Sequence, residues 1–143
     1  LELGNVEEAF AELERLPEEL QSLPAVQTVR LDCLMAAKDW NAAVKLAQVL
    51  CGQWAEEPGL WLHHAYAARR CAGGSIEAAY ELLAPCVERF PEEWLIPYNV
   101  ACYLCQMERL DEARAMLEMA RAKGGERVDT MAKDDEDLAP LNL

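Results

Sequence analysis

An apolar stripe recurs four times along the 143 residues, at intervals of 34, 36 and 34. The copies begin at Val6, Trp40, Ile76 and Leu110, and each places further stripe positions three, six, seven and ten residues on. Glu12 is the one position of the four copies that is not apolar. Such spacing puts the apolar side chains on one face of an α-helix. A helix that returns at this interval predicts a repeat protein whose neighbouring helices share a continuous core.

Two further features recur with the stripe. The residues two positions before each copy are equivalent: Gly4, Lys38, Gly74 and Glu108. Two of the four are glycine, which suits a tight turn between helices. The second stripe position is always a small residue, which lets a neighbouring helix approach closely: Ala9, Ala43, Ala79 and Ala113. Other helical tracts lie between the copies, at residues 25–37, 60–72 and 95–106. The chain is therefore predicted to be a series of helix pairs.

Particular residue types mark the last two of these pairs. The final pair carries Tyr98-Asn99-Val100-Ala101, Leu104, Ala113, Leu117 and Ala120, and the preceding one carries Trp61, Tyr66, Ala67, Gly74, Ala79, Leu83 and the closing Pro91. With these residues the chain resembles the tetratricopeptide repeat (TPR) family over roughly residues 1–123. Arg70 departs from the family pattern, which usually has a large apolar residue there. The resemblance implies an all-α fold, a right-handed α-α superhelix (solenoid) of antiparallel helix pairs.

The whole chain, residues 1–143, is predicted to form a single TPR-like domain. Its predicted parts are a partial repeat that is mainly a second helix, three full repeats, and a capping helix with an acidic tail: 1–24, 25–59, 60–93, 94–123 and 124–143. Leu1 to Leu3 read as the tail of a first helix, so that either one apolar flank is uncapped or the natural protein is longer. The short terminal helix is predicted near residues 126–133, after a Gly-Gly stop.

Prolines and acidic residues predict three local features. Pro85 falls inside the third copy of the stripe and predicts a kink after Leu82. Pro97 predicts that the helix containing it starts near Ile96, because proline is tolerated in a first turn. The acidic run at residues 134–137 lacks the alternating ligands and central glycine of a calcium loop. We expect that run to be solvated.

Charge and hydropathy narrow the class of partner. The net charge is −13, which opposes binding to nucleic acid or to anionic membrane surfaces and favours a basic partner. No apolar run approaches the roughly 18 residues of a membrane-spanning helix. The six cysteines fall in predicted helices rather than in loops, which is typical of buried thiols in a reduced cytoplasm. We therefore expect a cytoplasmic protein.

Chemical sites were considered and set aside. Cys102 and Cys105, three apart on one helix face, could form a zinc site with Cys71 and His64 from the adjacent helix. Zinc knuckles place such a pair in a turn, however, and the chain has no second CxxC. The sequence also lacks HExxH, a glycine-rich phosphate loop, and a serine beside a recognisable base. We therefore predict no metal, no cofactor and no catalytic residue, and the protein is not expected to be an enzyme.

The TPR resemblance implies that the first helix of each pair lines a concave groove. The groove positions in the last two repeats are Trp61, His64, Ala68, Cys71, Leu95, Tyr98, Asn99, Cys102, Cys105 and Gln106. Thr28 is the first groove position of the preceding repeat. This mostly apolar lining suits an amphipathic helix or an extended peptide, with Trp61 and Tyr98 as anchors. Either aromatic could instead pack only between neighbouring helices.

The predicted function is a non-enzymatic protein–protein interaction module or scaffold. Its partner is expected to be a protein or peptide, such as a basic or amphipathic helix, with no nucleic acid and no membrane. An alternative is a small dedicated chaperone for one client, because "VQTVRLDCLMAAKDWNAAVKLAQVLC" faintly resembles type III secretion chaperones. A third is self-association into a homo-oligomer through an open repeat flank. The basic residues that clamp a heat-shock chaperone tail are missing, so binding to such a tail is not expected.

Overall fold

The computed structural model describes residues 3–143, with side chains from Asn5 onward, and every regular element in that range is a helix. The helices, in chain order, are α1 (Leu3–Arg15), α2 (Glu18–Gln21), α3 (Pro24–Ala36), α4 (Trp40–Gln53), α5 (Pro58–Arg70), α6 (Ile76–Leu83), α7 (Cys86–Arg89), α8 (Leu95–Gln106), α9 (Leu110–Gly124) and α10 (Glu126–Asp134). A 3-10 helix, Glu136–Leu141, follows. The all-α class is confirmed for this part of the chain. The predicted helix tail at Leu1 and Glu2 lies outside the described residues.

The recurring stripe is buried in the same order in three of its four copies. In each of these copies the second, fourth and fifth positions are buried, and the first and third are half-buried. The buried residues are Ala43, Ala47 and Leu50 in the second copy, Ala79, Leu83 and Cys86 in the third, and Ala113, Leu117 and Ala120 in the fourth. In the first copy Val6 and Leu13 are buried and Glu12 is exposed, as its charge requires. The stripe is therefore a core face in every copy.

The turns before α4 and α9 have the same geometry. Lys38 and Glu108 adopt positive φ angles of 58° and 62°. In both turns the next amide donates to the carbonyl five residues earlier, with N···O distances of 3.0 and 2.9 Å. This is the Schellman arrangement, in which a left-handed residue ends a helix. In the turn before α6 the positive φ, 73°, belongs to Gly73 rather than to the predicted turn residue Gly74.

Residue contacts divide the chain into two compact units that meet in sequence at Gly73 and Gly74. In the first unit α4 packs on α3 and α5, and α1 packs on α3. Its largest core cluster is centred on Leu31, Ala47, Leu50 and Leu60. Gln21 links α2 to α3 by accepting a hydrogen bond of 2.6 Å from Arg30.

In the second unit α8 is central and packs on α6, α7 and α9, while α10 packs on α9. The 3-10 helix also packs on α8 and α9. Gly124 ends α9 where α10 turns back, and a Cβ there would stand 2.6 Å from the side chain of Val128 and 2.9 Å from that of Trp94. The guanidinium of Arg127 lies over the ring of Trp94, with its central carbon 5.1 Å from the ring centroid.

Local predictions are mostly confirmed. α3, α5 and α8 lie within two residues of the predicted tracts, α10 lies at the predicted position, and Pro85 separates α6 from α7. Pro97 lies in the first turn of α8, which begins at Leu95. The short helix α2 was not predicted. The division into one partial repeat, three repeats and a cap stays a prediction.

No helix within residues 3–143 is long and apolar enough to span a lipid bilayer.

Candidate functional site

Four of the predicted groove residues form a stripe along one side of α8. They are Tyr98, Cys102, Cys105 and Gln106, which recur at the three- and four-residue spacing of a helix face. We call this set the α8 face. Tyr98, Cys102 and Cys105 are almost fully buried, with 2–3 % of their surface exposed, whereas Gln106 is exposed. The 3-10 helix packs on α8.

Asp135 is the main polar contact of the α8 face. One carboxylate oxygen accepts a hydrogen bond of 2.7 Å from the hydroxyl of Tyr98 and a weaker one of 3.7 Å from the thiol of Cys102. The other oxygen accepts the amide of Asp137 at 3.0 Å, which starts the 3-10 helix. One side chain thus both begins the helix and holds it on α8. We call residues 135–141 the C-terminal segment.

Gln106 and two leucines complete this contact. The side-chain amide of Gln106 donates to the backbone carbonyl of Asp137 at 3.0 Å. Leu138 and Leu141, three residues apart on the 3-10 helix, are 1 % and 5 % exposed. Pro140 lies between them and stiffens the backbone. The α8 face therefore bonds the Asp135 carboxylate and the Asp137 carbonyl, and the two leucines are buried where the 3-10 helix packs on α8, α9 and α10.

The same contacts keep the donors of the α8 face protonated. Burial raises the pKa of the Tyr98 phenol, and the hydrogen bond to Asp135 raises it further. Burial also raises the pKa of the Cys102 thiol, with added repulsion from the carboxylates of Asp135 and Asp137. The pKa of Cys105 is raised mainly by burial. At neutral pH these groups are neutral, and Tyr98 and Cys102 donate O–H and S–H hydrogen bonds to a carboxylate.

This placement corrects one prediction. The acidic run 134–137 was expected to be solvated, and Asp134 and Glu136 are indeed exposed. Asp135 and Asp137 are half-buried instead, and Asp135 is bonded to the α8 face. Both residues stand at the start of the 3-10 helix that packs on α8, in which Leu138 and Leu141 are buried.

The chemistry of the cluster also allows a cation. The ligand atoms of Cys102, Asp135 and Asp137 lie within 4.8 Å of one another, and they are the metal-capable group that the described residues bring together. Thiolate and carboxylate ligands are typical of zinc sites. A cation bound by Cys102 would have to displace the thiol proton that Cys102 donates to Asp135. Cys71, His64 and Cys105, which belong to the zinc site that the sequence does not favour, are not in this group.

The other predicted groove residues of α8 lie nearer its start. Leu95 and Asn99 are both half-buried. The side-chain amide of Asn99 donates to the carbonyl of Leu95 at 2.8 Å, so it is engaged within its own helix. Trp94, just before the helix, meets the ring of Tyr98 edge-on at a centroid distance of 6.1 Å.

The predicted groove residues of α5 are less exposed than an open groove would require. Trp61 is half-buried, packs against the core cluster, and donates its indole N–H to the carbonyl of Ala55 at 2.8 Å. His64 and Ala68 are buried, and Cys71 is half-buried just after the helix. Burial lowers the pKa of His64, whose Nδ1 has no hydrogen-bond partner in the part of the chain the structure describes.

An open cleft of about 390 Å³ lies in the first unit between the starts of α3 and α5. Its walls are mainly apolar and include Pro24, Trp54 and Leu60, with Thr28, Glu57 and His63 as polar groups. Nε2 of His63 in α5 lies 3.5 Å from a carboxylate oxygen of Asp32 in α3. This contact joins the two helices beside the cleft. Thr28 was a predicted groove position, whereas His63 was not.

A second open cleft, about 460 Å³ in volume, lies in the second unit. Tyr80, Pro85, Val100, Met116 and Met119 are among the residues that line it. It opens where Pro85 separates α6 from α7, and none of its residues was a predicted groove position.

The sequence reasoning missed Asp135, Leu138 and Leu141. One signal was available, because Leu138 and Leu141 are three residues apart in an otherwise acidic tail. Such a pair predicts burial on a neighbouring helix. Nothing in the local sequence indicates that α8 is that neighbour.

No protein-family model matches the chain, and neither a curated protein nor a solved structure does.

Proposed function

We propose that the chain is a TPR-like, non-enzymatic interaction module that holds a short helical or extended segment of a partner protein. The α8 face supports this proposal, because it already holds a short segment, supplied by the chain itself. Side-chain donors and an apolar surface take up that segment, as expected of a peptide-binding helix face. This contact is the single observation that carries the proposal.

Features of the fold are consistent with a TPR-like arrangement. The stripe positions of α4, α6–α7 and α9 share one order of burial, and the turns at Lys38 and Glu108 share one geometry. Repeated local structure of this kind is expected when each helix pair packs on the next in the same way. The right-handed superhelix remains part of the proposal. Six free thiols, five of them buried, suit a reducing compartment such as the cytoplasm.

Photo-crosslinking from defined positions tests the proposed function. A photoreactive amino acid at Gln106, at the exposed end of the α8 face, is expected to capture a partner protein in cells that express the full chain. The matched control carries the same group at Ala122, an exposed position on α9. Capture at 106 that is absent at 122 would support the proposal. Equal capture at both positions, or none at either, would contradict it.

A further inference from the structure

We infer that the α8 face selects one chemical kind of segment: a carboxylate followed by leucines three and six residues later. In this structure the chain's own C-terminal segment occupies the site, and a partner segment with the same pattern would displace it. The inference rests on the proposed function and adds to it the chemistry of the partner and the way in which the site is regulated. An acidic partner segment also differs from the basic partner that the net charge favours.

The carboxylate requirement follows from the donors of the α8 face. The hydroxyl of Tyr98 and the thiol of Cys102 both point to one oxygen of Asp135, at 2.7 and 3.7 Å. Both donors are buried, so an occupant without an acceptor would leave them unsatisfied. A lysine or arginine at this point would bring donors against donors. The position is therefore specific for an acceptor, and an ionised one forms the stronger hydrogen bonds.

The leucine requirement follows from burial. Leu138 and Leu141 are the buried residues of the 3-10 helix, while Ala139 and Pro140 between them are exposed. Their spacing places both side chains on the same side of a helix with three residues per turn. Gln106 adds a contact that is independent of side-chain identity, because it donates to the backbone carbonyl of Asp137.

The C-terminal segment is suited to leave without unfolding the rest of its unit. It is seven residues long and follows α10, which has its own buried residues Val128 and Ala132. Elements of this kind open with less free energy than the core. As a tethered occupant the segment competes at an effective concentration in the millimolar range, so a partner must match its chemistry to replace it.

Cysteine alkylation in the full chain tests the release of the segment. We expect the double variant Leu138→Ser, Leu141→Ser to increase the alkylation rate of Cys102 at least about tenfold, because each substitution removes a buried leucine anchor. Mass spectrometry of the digested protein measures each thiol separately. Cys86, buried in α7 of the same unit, is the internal control and should keep its slow rate. A parallel rise at Cys86 would show general unfolding and overturn the inference.

A synthetic peptide tests recognition. The nonapeptide DEDLAPLNL, residues 135–143, should restore the protection of Cys102 in the double variant at peptide concentrations up to about 1 mM. Matched peptides with Asp135→Lys, or with both leucines replaced by serine, should not. Failure of the native peptide, or equal protection by all three, would overturn the inference.

The two proposals fail in different ways. Peptide protection without any crosslinked partner at position 106 would leave the recognition chemistry intact and remove the proposed function. A crosslinked partner without peptide protection would do the reverse.

Discussion

The hydroxyl of Tyr98 lies 2.7 Å from a carboxylate oxygen of Asp135, a residue 37 positions later in the chain. Tyr98 is buried in α8, and Asp135 begins the 3-10 helix that packs on it. The hydrogen bond therefore couples the predicted groove face of one helix to the start of the 3-10 helix. It also makes Tyr98 a residue whose role can be measured by removing a single oxygen atom.

Tyr98→Phe is expected to lower the free energy of unfolding by about 1–3 kcal/mol. The substitution keeps the ring but leaves a half-buried carboxylate without its shortest hydrogen bond. Urea denaturation of the full chain measures the change. Tyr66→Phe is the matched control, because Tyr66 is 41 % exposed, and a change within about 0.5 kcal/mol is expected there. Equal effects of the two substitutions would contradict a special role for the Tyr98 hydroxyl.

Lys38→Gly and Glu108→Gly are each expected to stabilise the protein by up to about 1 kcal/mol. Both residues have positive φ, a conformation that costs an L-residue with a side chain but not glycine. Thermal and urea unfolding measure the effect. Gly73→Ala tests the opposite sign, because Gly73 has a φ of 73° and alanine would be strained there. Destabilisation by both glycine substitutions would refute the left-handed turn geometry.

Gly124→Ala is expected to destabilise the protein by roughly 1–3 kcal/mol although alanine is the better helix former. The added methyl group would stand 2.6 Å from Val128 and 2.9 Å from Trp94, so α10 would have to move away from α9. Gly52→Ala in α4 is the control, because nothing lies within 4 Å of its Cβ position. There helix propensity alone should stabilise by about 0.5–1 kcal/mol. Measuring the free energy of unfolding of both variants checks the packing of α10, because the two changes should have opposite signs.

His64 is expected to make stability fall in acid. Burial lowers the pKa of its imidazole below the ordinary value of 6.5. The unfolded chain therefore takes up a proton first as the pH falls, and stability decreases from about pH 6.5 downward until the folded state is protonated as well. Unfolding free energies measured between pH 7.5 and 5 check this dependence.

The control for the acid effect is the neighbouring histidine. His64→Gln should remove this part of the pH dependence, whereas His63→Gln, at a half-exposed position beside Asp32, should retain it. An unchanged slope in the His64→Gln protein would show that other groups cause the loss of stability.

The helices and the buried faces could be predicted because they depend on local periodicity. The stripe that includes Ala43, Ala79 and Ala113 predicts which residues face a core, and all three are fully buried. Proline chemistry likewise predicted the separation of α6 from α7. Glycine predicted the turn less accurately. The positive φ belongs to Gly73 rather than to Gly74, and the local sequence pattern is the same whichever of the two adopts it.

The occupant of the α8 face could not be predicted in the same way. An acidic run is usually solvated, and whether Asp135 meets water or Tyr98 depends on where Leu138 is buried. That choice is made by packing between residues more than thirty positions apart. Local polarity carries no information about it.

Arg70 has a further consequence for the resemblance of the sequence to the TPR pattern. Its guanidinium lies 3.5 Å from the ring centroid of Tyr66 and 5.8 Å from that of Trp40. The centroids of these two rings are 5.7 Å apart. A flat cation thus covers aromatic surface at the position where Arg70 departs from the TPR-like sequence pattern. A scoring scheme based on polarity counts this residue as a mismatch, whereas one based on planar contact area would accept it.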